Sequence, residues 1–248
     1  MDPSFYTAAV SAAQQQLRMN VHGNNIANVN TYGFRCKRPT FNALMVGNMD
    51  GINETLPKGV GSRMVMAATD FSFKGVTGTD RDLDYAIEGD GFFALFDPAS
   101  GTYSYSRDGS FTMSERKVNV TNEDGETEET SIWYLSDGLG RFVLGQDGRP
   151  LEVDAEHTDE MLPVGVFDFI NRDGMLHVEE NTIIPVEKNG NLRRGEGKLV
   201  QGYLELSNTD LANEMVKVIE TQRSYMYMLR MVRTSDEIAS TVNGLSRG

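Results

Sequence analysis

The stretch from Asp210 to Leu245 constrains the fold of this chain most. Leu211, Met215, Val218, Gln222, Tyr225, Leu229 and Val232 recur at alternating steps of four and three, the seam that a helix presents to a partner helix. Lys217, Glu220, Arg223, Arg230 and Arg233 fall on the opposite side. Ser207, Asn208 and Asp210 compete to cap its start, because a short side-chain oxygen can accept from the first free amides of a helix. The run exceeds the usual globular helix, so the spacing predicts a helix that extends beyond its own domain and needs a partner.

Residues 4 to about 28 supply a candidate. Tyr6, Val10, Ala13, Leu17 and Val21 repeat at three to four residues with alanines on the flanks. So thin a seam suits close helix–helix contact, and a helix of this kind is marginal alone. The partner is then the other end of the same chain, a neighbouring copy, or the flank of an ordinary globular core.

Charge divides the chain the same way. Residues 1–48 hold four Lys/Arg against one acidic residue, and residues 201–248 hold five against six. The remaining 14 basic and 29 acidic residues lie between 49 and 200, a net charge of −15. Nearly neutral ends can pack together while the acidic middle stays solvated. A chain without a basic face excludes nucleic acid as a partner. No apolar run approaches the roughly 20 residues that cross a bilayer, which argues against direct membrane insertion. Asp2, the lack of an early Lys or Arg and the run Gln14-Gln15-Gln16 do not make a cleavable secretory signal. Cys36 is the sole cysteine, so no internal disulfide or CxxC site is available.

Between the ends, the string Asn24-Asn25-Ile26-Ala27-Asn28-Val29-Asn30-Thr31-Tyr32-Gly33-Phe34-Arg35 stops a helix, because Asn and Thr side chains compete for backbone hydrogen bonds. Residues 36–81 show scattered apolar side chains and no sustained period, which predicts an extended connector with a short strand at Arg63 to Ala67. A structureless connector this long is uncommon inside one compact domain. From 82 to 200 the pattern becomes strands. Asp-Gly pairs start at 90, 108, 124, 137, 147 and 173, with Asn189-Gly190 after them, and apolar or alternating runs such as Phe92–Phe96 and Thr102–Ser106 lie between. The fold class predicted is α+β: N- and C-terminal helices pairing as a coiled coil, and a central, mostly antiparallel β domain. The domains are 1–35 (helix and turn motif), 36–81 (connector), 82–200 (β domain) and 201–248 (C-terminal helix).

Candidate chemistry is thin. Gly89, Gly91 and Ala94 spell GxGxxA, but a dinucleotide loop needs a helix at its second glycine, and Phe92–Phe96 reads as a strand. His22, His157 and His177 lie in unrelated segments without ligand partners at metal spacing. The acidic run Glu123, Asp124, Glu126, Glu128 and Glu129 lacks the alternating oxygens and closing bidentate Glu of a calcium loop. Ser110 lacks the context of a nucleophile elbow. No catalytic residue, cofactor or metal is assigned. Trp133, Tyr134, Tyr103 and Tyr105 leave one alternative open, a carbohydrate-binding or hydrolytic β domain with helical oligomerisation flanks.

Four strings together carry a family resemblance. Asn24–Arg35, Asp84–Phe93, Tyr105–Phe111, and Gln201–Asn208 with Glu214-Met215-Val216 and Thr221–Tyr225 are similar, in this order and spacing, to the bacterial flagellar axial proteins of rod and hook. The length favours a rod subunit over the larger hook subunit. The resemblance implies a helical homopolymer, a tube whose terminal helices line the lumen and whose β domain lies outside. The partners it implies are further copies, other rod and hook proteins, the flagellar export apparatus and the ring proteins around the rod. The location it implies is the basal body, reached by export without signal cleavage. The expected assembly residues are Asn24, Asn25, Asn28, Gly33 and Phe34 at the turn, and Leu211, Met215, Val218, Gln222, Tyr225, Leu229 and Val232 on the seam.

Overall fold

The computed structural model describes residues 3–43, 47–50, 55–58, 62–121, 127–154, 161–178 and 181–245. The chain is α+β and forms two compact units. One unit is discontinuous and comprises residues 1–29, 36–70 and 209–248; the other comprises 30–35 and 71–208.

The first unit contains helix α1 (Pro3–Ala27), strands β1 (Lys37–Ala43), β2 (Gly47–Asp50), β3 (Thr55–Lys58) and β4 (Ser62–Thr69), and helix α2 (Leu211–Leu245). Asp210 wins the capping competition: its Oδ1 accepts from the amides of Ala212 at 3.1 Å and Asn213 at 3.3 Å, a contribution of about 1 kcal/mol. The segment expected as a connector is paired backbone in part, since β1 and β4 run antiparallel with Lys37 opposite Thr69 and Ala43 opposite Ser62. The helices pack antiparallel, the end of α1 beside the start of α2.

The faces that meet differ from the most apolar ones. On α1 the buried residues are Ala8, Ala12, His22 and Asn25, whereas Tyr6, Val10, Ala13 and Leu17 are exposed. On α2, Glu214 and Thr221 are buried. Small side chains let the helix backbones approach closely, and the larger apolar residues are left on the outside.

The second unit is built on β5 (Val76–Gly78), β6 (Tyr85–Glu88), β7 (Phe92–Asp97), β8 (Thr102–Ser106), β9 (Thr112–Thr121), β10 (Thr127–Ser136) and β11 (Phe142–Val143). After them come β12 (Val166–Phe169), β13 (Leu176–Val178), β14 (Thr182–Ile184), β15 (Leu192–Arg194), β16 (Lys198–Gln201) and β17 (Tyr203–Glu205). Its main sheet runs β13-β14-β8-β7-β11-β10-β9, with β12 bridging β7 and β15. Strand β7 is apolar from Phe92 to Phe96 because both its faces are covered from Phe92 to Leu95. Phe93 and Leu95 join one core with Tyr85, Phe111 and Leu135, while Phe92 and Ala94 join another with Tyr105, Phe167 and Phe169. Two short ribbons, β16 with β6 and β17 with β5, complete the unit.

Candidate assembly site

Two buried polar clusters, one in each unit, are assembled from the strings that stand out in the sequence. In the β unit the cluster is a triad. Arg35 pairs with Glu205, and Arg107 Nη1 donates to Glu205 Oε2 at 2.9 Å; all three side chains are at most 4% exposed. Arg107 also donates to the carbonyls of Ile87 and Gly89, and Arg35 to that of Ser72. Arg35 comes from the Asn-rich string, Arg107 from Tyr-Ser-Arg-Asp-Gly, Glu205 from Tyr-Leu-Glu-Leu-Ser, and Ile87 and Gly89 from the string that opens the β domain. Two strings thus converge on the carboxylate of a third, and a fourth holds Arg107 through its carbonyls. Burial pushes the Arg107 guanidinium down to about 10, against the pull of Glu205. Burial likewise raises the Glu205 carboxyl, which the two guanidinium groups oppose. Each charge is tolerable inside only because the others are there.

Gly33 brings Arg35 to the triad. Its amide donates to the Glu205 carbonyl at 2.8 Å, and its φ of +66° lies in the left-handed region that glycine enters without strain. Phe34 is buried beside it. Asn208, which does not cap α2, donates from Nδ2 to the Ser72 carbonyl at 3.1 Å and so closes the same knot.

In the helical unit the centre is Asn25. Its amide group pairs with both backbone groups of Lys37, donating to the carbonyl at 2.8 Å and accepting from the N–H at 2.9 Å, as a strand would. It also donates to Glu214 Oε2 at 3.1 Å. His22 Nδ1 donates to the same oxygen at 2.7 Å, and Lys217 donates to Glu214 Oε1 at 2.8 Å. Asn25 and Glu214 therefore tie α1, β1 and α2 together.

Burial raises the Glu214 carboxyl, but hydrogen bonds from Lys217, Asn25 and His22 outweigh it and hold the group below its ordinary value. A carboxyl lowered by folding stabilises the fold above its unfolded value and loses that contribution as pH falls through the folded one. The helical unit is therefore expected to weaken below about pH 4.3, the ordinary glutamate value. Glu214→Gln should start weaker at neutral pH, by about 1–3 kcal/mol, and should lack this acid dependence. Thermal melts followed by circular dichroism at 222 nm across pH 3 to 7 check it; parallel curves for the two chains would refute the role.

The remaining sequence candidates are spread over both helices. Asn24 is exposed and its carbonyl accepts from the amide and side chain of Asn28 at 3.2 and 2.9 Å, which closes the end of α1. On α2, Val218, Tyr225, Leu229 and Val232 are half-buried, while Leu211, Met215 and Gln222 are exposed. The aromatic quartet does not make one sugar-stacking face. Tyr105 is a core residue against Phe169, Tyr103 is exposed, and Trp133 and Tyr134, being consecutive on β10, point to opposite faces. The acidic residues 123–126 and His157 lie outside the described residues. Sequence reasoning missed His22, Glu214 and the pairing of the triad. The strings show the charged residues Arg35, Arg107 and Glu205, but nothing local in them shows that the three pair.

Comparison with known proteins matches all these strings. Residues 5–35 match the flagella basal body rod protein family, residues 86–150 the D1 domain of flagellar hook protein FlgE/F/G, and residues 200–245 the C-terminal region of flagellar basal body rod FlgEFG proteins. The flagellar basal-body rod protein FlgG of Buchnera aphidicola subsp. Schizaphis graminum is 32% identical, over 99% of this chain and all of the relative. FlgG of Bacillus subtilis is 33% identical, over 98% of this chain and 99% of the relative. FlgG of Borreliella burgdorferi is 31% identical over 98% of both. Matched from end to end, the chain belongs to the flagellar basal-body rod proteins of the FlgG/FlgF type.

Proposed function

We propose that this chain is a structural subunit of the bacterial flagellar rod, polymerising into the helical tube that carries torque from the motor to the hook. The observation that carries the mechanical reading is the outward face of the helices. Val10, Leu17, Met215, Ile219, Met226, Tyr227 and Met231 are all at least 39% exposed, an apolar surface of the kind that marks an interface between proteins. A subunit that offers different faces of one helix pair to different neighbours makes heterologous contacts, and these propagate into a filament instead of closing a ring. The terminal helices then pair as a coiled coil in the tube wall, with the turn residues Asn24, Asn28, Gly33 and Phe34 fixing each subunit's geometry.

Neighbouring rod and hook proteins, the export apparatus that delivers the unfolded chain without signal cleavage, and the rings that surround the rod complete the partners in this reading. Among the described residues no helix is long and apolar enough to cross a membrane, as suits a part that passes through the envelope inside other proteins. The carbohydrate alternative is not favoured, since its aromatic residues are divided between core and opposite faces.

Leu229→Asp tests the reading. A carboxylate at this half-buried helical position is expected to abolish filament formation, seen by negative-stain microscopy of concentrated protein, while the β unit keeps its melting temperature. If filaments of normal length form, the helices do not build the wall.

A further inference from the structure

The oxidisable sulfur of this chain is unevenly placed. Its sole thiol, Cys36, is buried, and burial followed by the Asp70 carboxylate pushes its pKa up, so the nucleophilic thiolate is both scarce and shielded. The thioethers of α2 are the opposite case. Met215, Met226 and Met231 are 50, 49 and 52% exposed, whereas Met228 is half-buried and Met175, in the β core, is 7% exposed. With no thiolate to compete, oxidation follows access to these thioethers.

Position gives the three sulfurs their effect. Met215 and Met226 stand about three helical turns apart and so share one side of α2, with exposed Ile219 between them. Met231 lies on a second side with Tyr227 and Ile238, both exposed. These are outward apolar sides of the helix. Methionine suits such a surface, because its thioether is apolar and adapts to whatever packs on it. The sulfoxide does not suit it, because its oxygen is a strong acceptor that loses water without gaining a donor once the surface is covered.

We propose that Met215, Met226 and Met231 form a reversible oxidation site through which a peroxide holds the free subunit out of assembly. This rests on the rod reading above and adds its regulation. The step is a two-electron oxygen transfer. A sulfur lone pair attacks one oxygen of hydrogen peroxide, the O–O bond breaks as the S–O bond forms, and water leaves; the thioether is oxidised to the sulfoxide and the peroxide is reduced. A dithiol acting through methionine sulfoxide reductases reverses it, giving thioether, disulfide and water. Subunits already assembled are protected, because the same side chains are then covered.

The test treats the dilute full chain with hydrogen peroxide, removes the peroxide with catalase, and concentrates the protein for negative-stain microscopy. Peptide mass mapping should place one added oxygen on each of Met215, Met226 and Met231 well before Met175, with Cys36 unchanged. Filaments should be lost while circular dichroism at 222 nm stays unchanged, since the three sulfurs lie outside the buried α1–α2 contact. Methionine sulfoxide reductases with dithiothreitol should restore both the thioethers and the filaments. The triple variant Met215→Leu, Met226→Leu, Met231→Leu should polymerise before and after peroxide. Met66→Leu with Met161→Leu, which removes exposed sulfurs from β4 and the β unit, should stay as sensitive as the unaltered chain. Normal filaments from the oxidised chain, a triple variant that remains sensitive, no recovery after reduction, or Met175 oxidised as fast as the three overturns the proposal and leaves the rod reading intact. Failure of the untreated chain to form filaments at any concentration overturns both.

Discussion

Glu205→Gln is expected to lower the melting temperature of the β unit by roughly 10 °C. The substitution keeps the size of the side chain and one acceptor oxygen, so it removes charge and little else. Both guanidinium groups, Arg35 and Arg107, then remain almost fully inside the protein without a counter-charge. Removing one partner of a buried ionic cluster costs about 3–5 kcal/mol, because the residual charge has lost water and gained nothing in return. A domain of this size loses about 2–4 °C per kcal/mol. Arg107 already feels the strain of burial, with its pKa pushed down to about 10 even beside the carboxylate. Differential scanning calorimetry of the full chain reads the result directly. The same loss should not follow from Asp97→Asn, since Asp97 closes an exposed turn with Ala99 and Ser100. If the two substitutions cost the same, the triad is not what holds the Asn-rich string to the β unit.

The strands of the β unit were legible from Asp-Gly pairs and from runs such as Phe92–Phe96, because both signals depend on residues close together in the chain. The helices were legible as helices for the same reason. Which face α1 turns inward was not, whereas on α2 Val218, Tyr225, Leu229 and Val232 of the expected seam are half-buried. Periodicity selects the stripe Tyr6-Val10-Ala13-Leu17-Val21 on α1, on the assumption that a chain buries its best apolar face within itself. Here Ala8, Ala12, His22 and Asn25 are inside, Val21 is half-buried, and the rest of the apolar stripe is outside. In a polymer subunit that inversion has a physical reason: the larger apolar contribution is reserved for contacts that form only on assembly. The triad escaped for another reason. Arg107 and Glu205 are 98 residues apart, and no local pattern relates two charges that far apart.

Gly33→Ala is expected to lower the melting temperature of the β unit and to abolish filament formation together. A Cβ at residue 33 would stand 2.4 Å from the carbonyl carbon of Arg107 and 2.5 Å from the amide nitrogen of Asp108, both backbone atoms that cannot step aside. Alanine at φ +66° adds about 1–2 kcal/mol of backbone strain to that overlap. The segment 30–35 must therefore lift, which breaks the Gly33 amide bond to Glu205 and withdraws Arg35 from its carboxylate. The expected result is a β unit that melts several degrees lower and a chain that no longer forms filaments, because the turn between α1 and β1 has lost its fixed path. Gly23→Ala, just before the same string, provides the contrast. Gly23 lies inside α1 with nothing within 4 Å of the added carbon, so alanine there should stabilise the helix by about 1 kcal/mol. Calorimetry and negative-stain microscopy of the two variants separate the effects: filaments of normal yield from Gly33→Ala would mean that the turn tolerates another path.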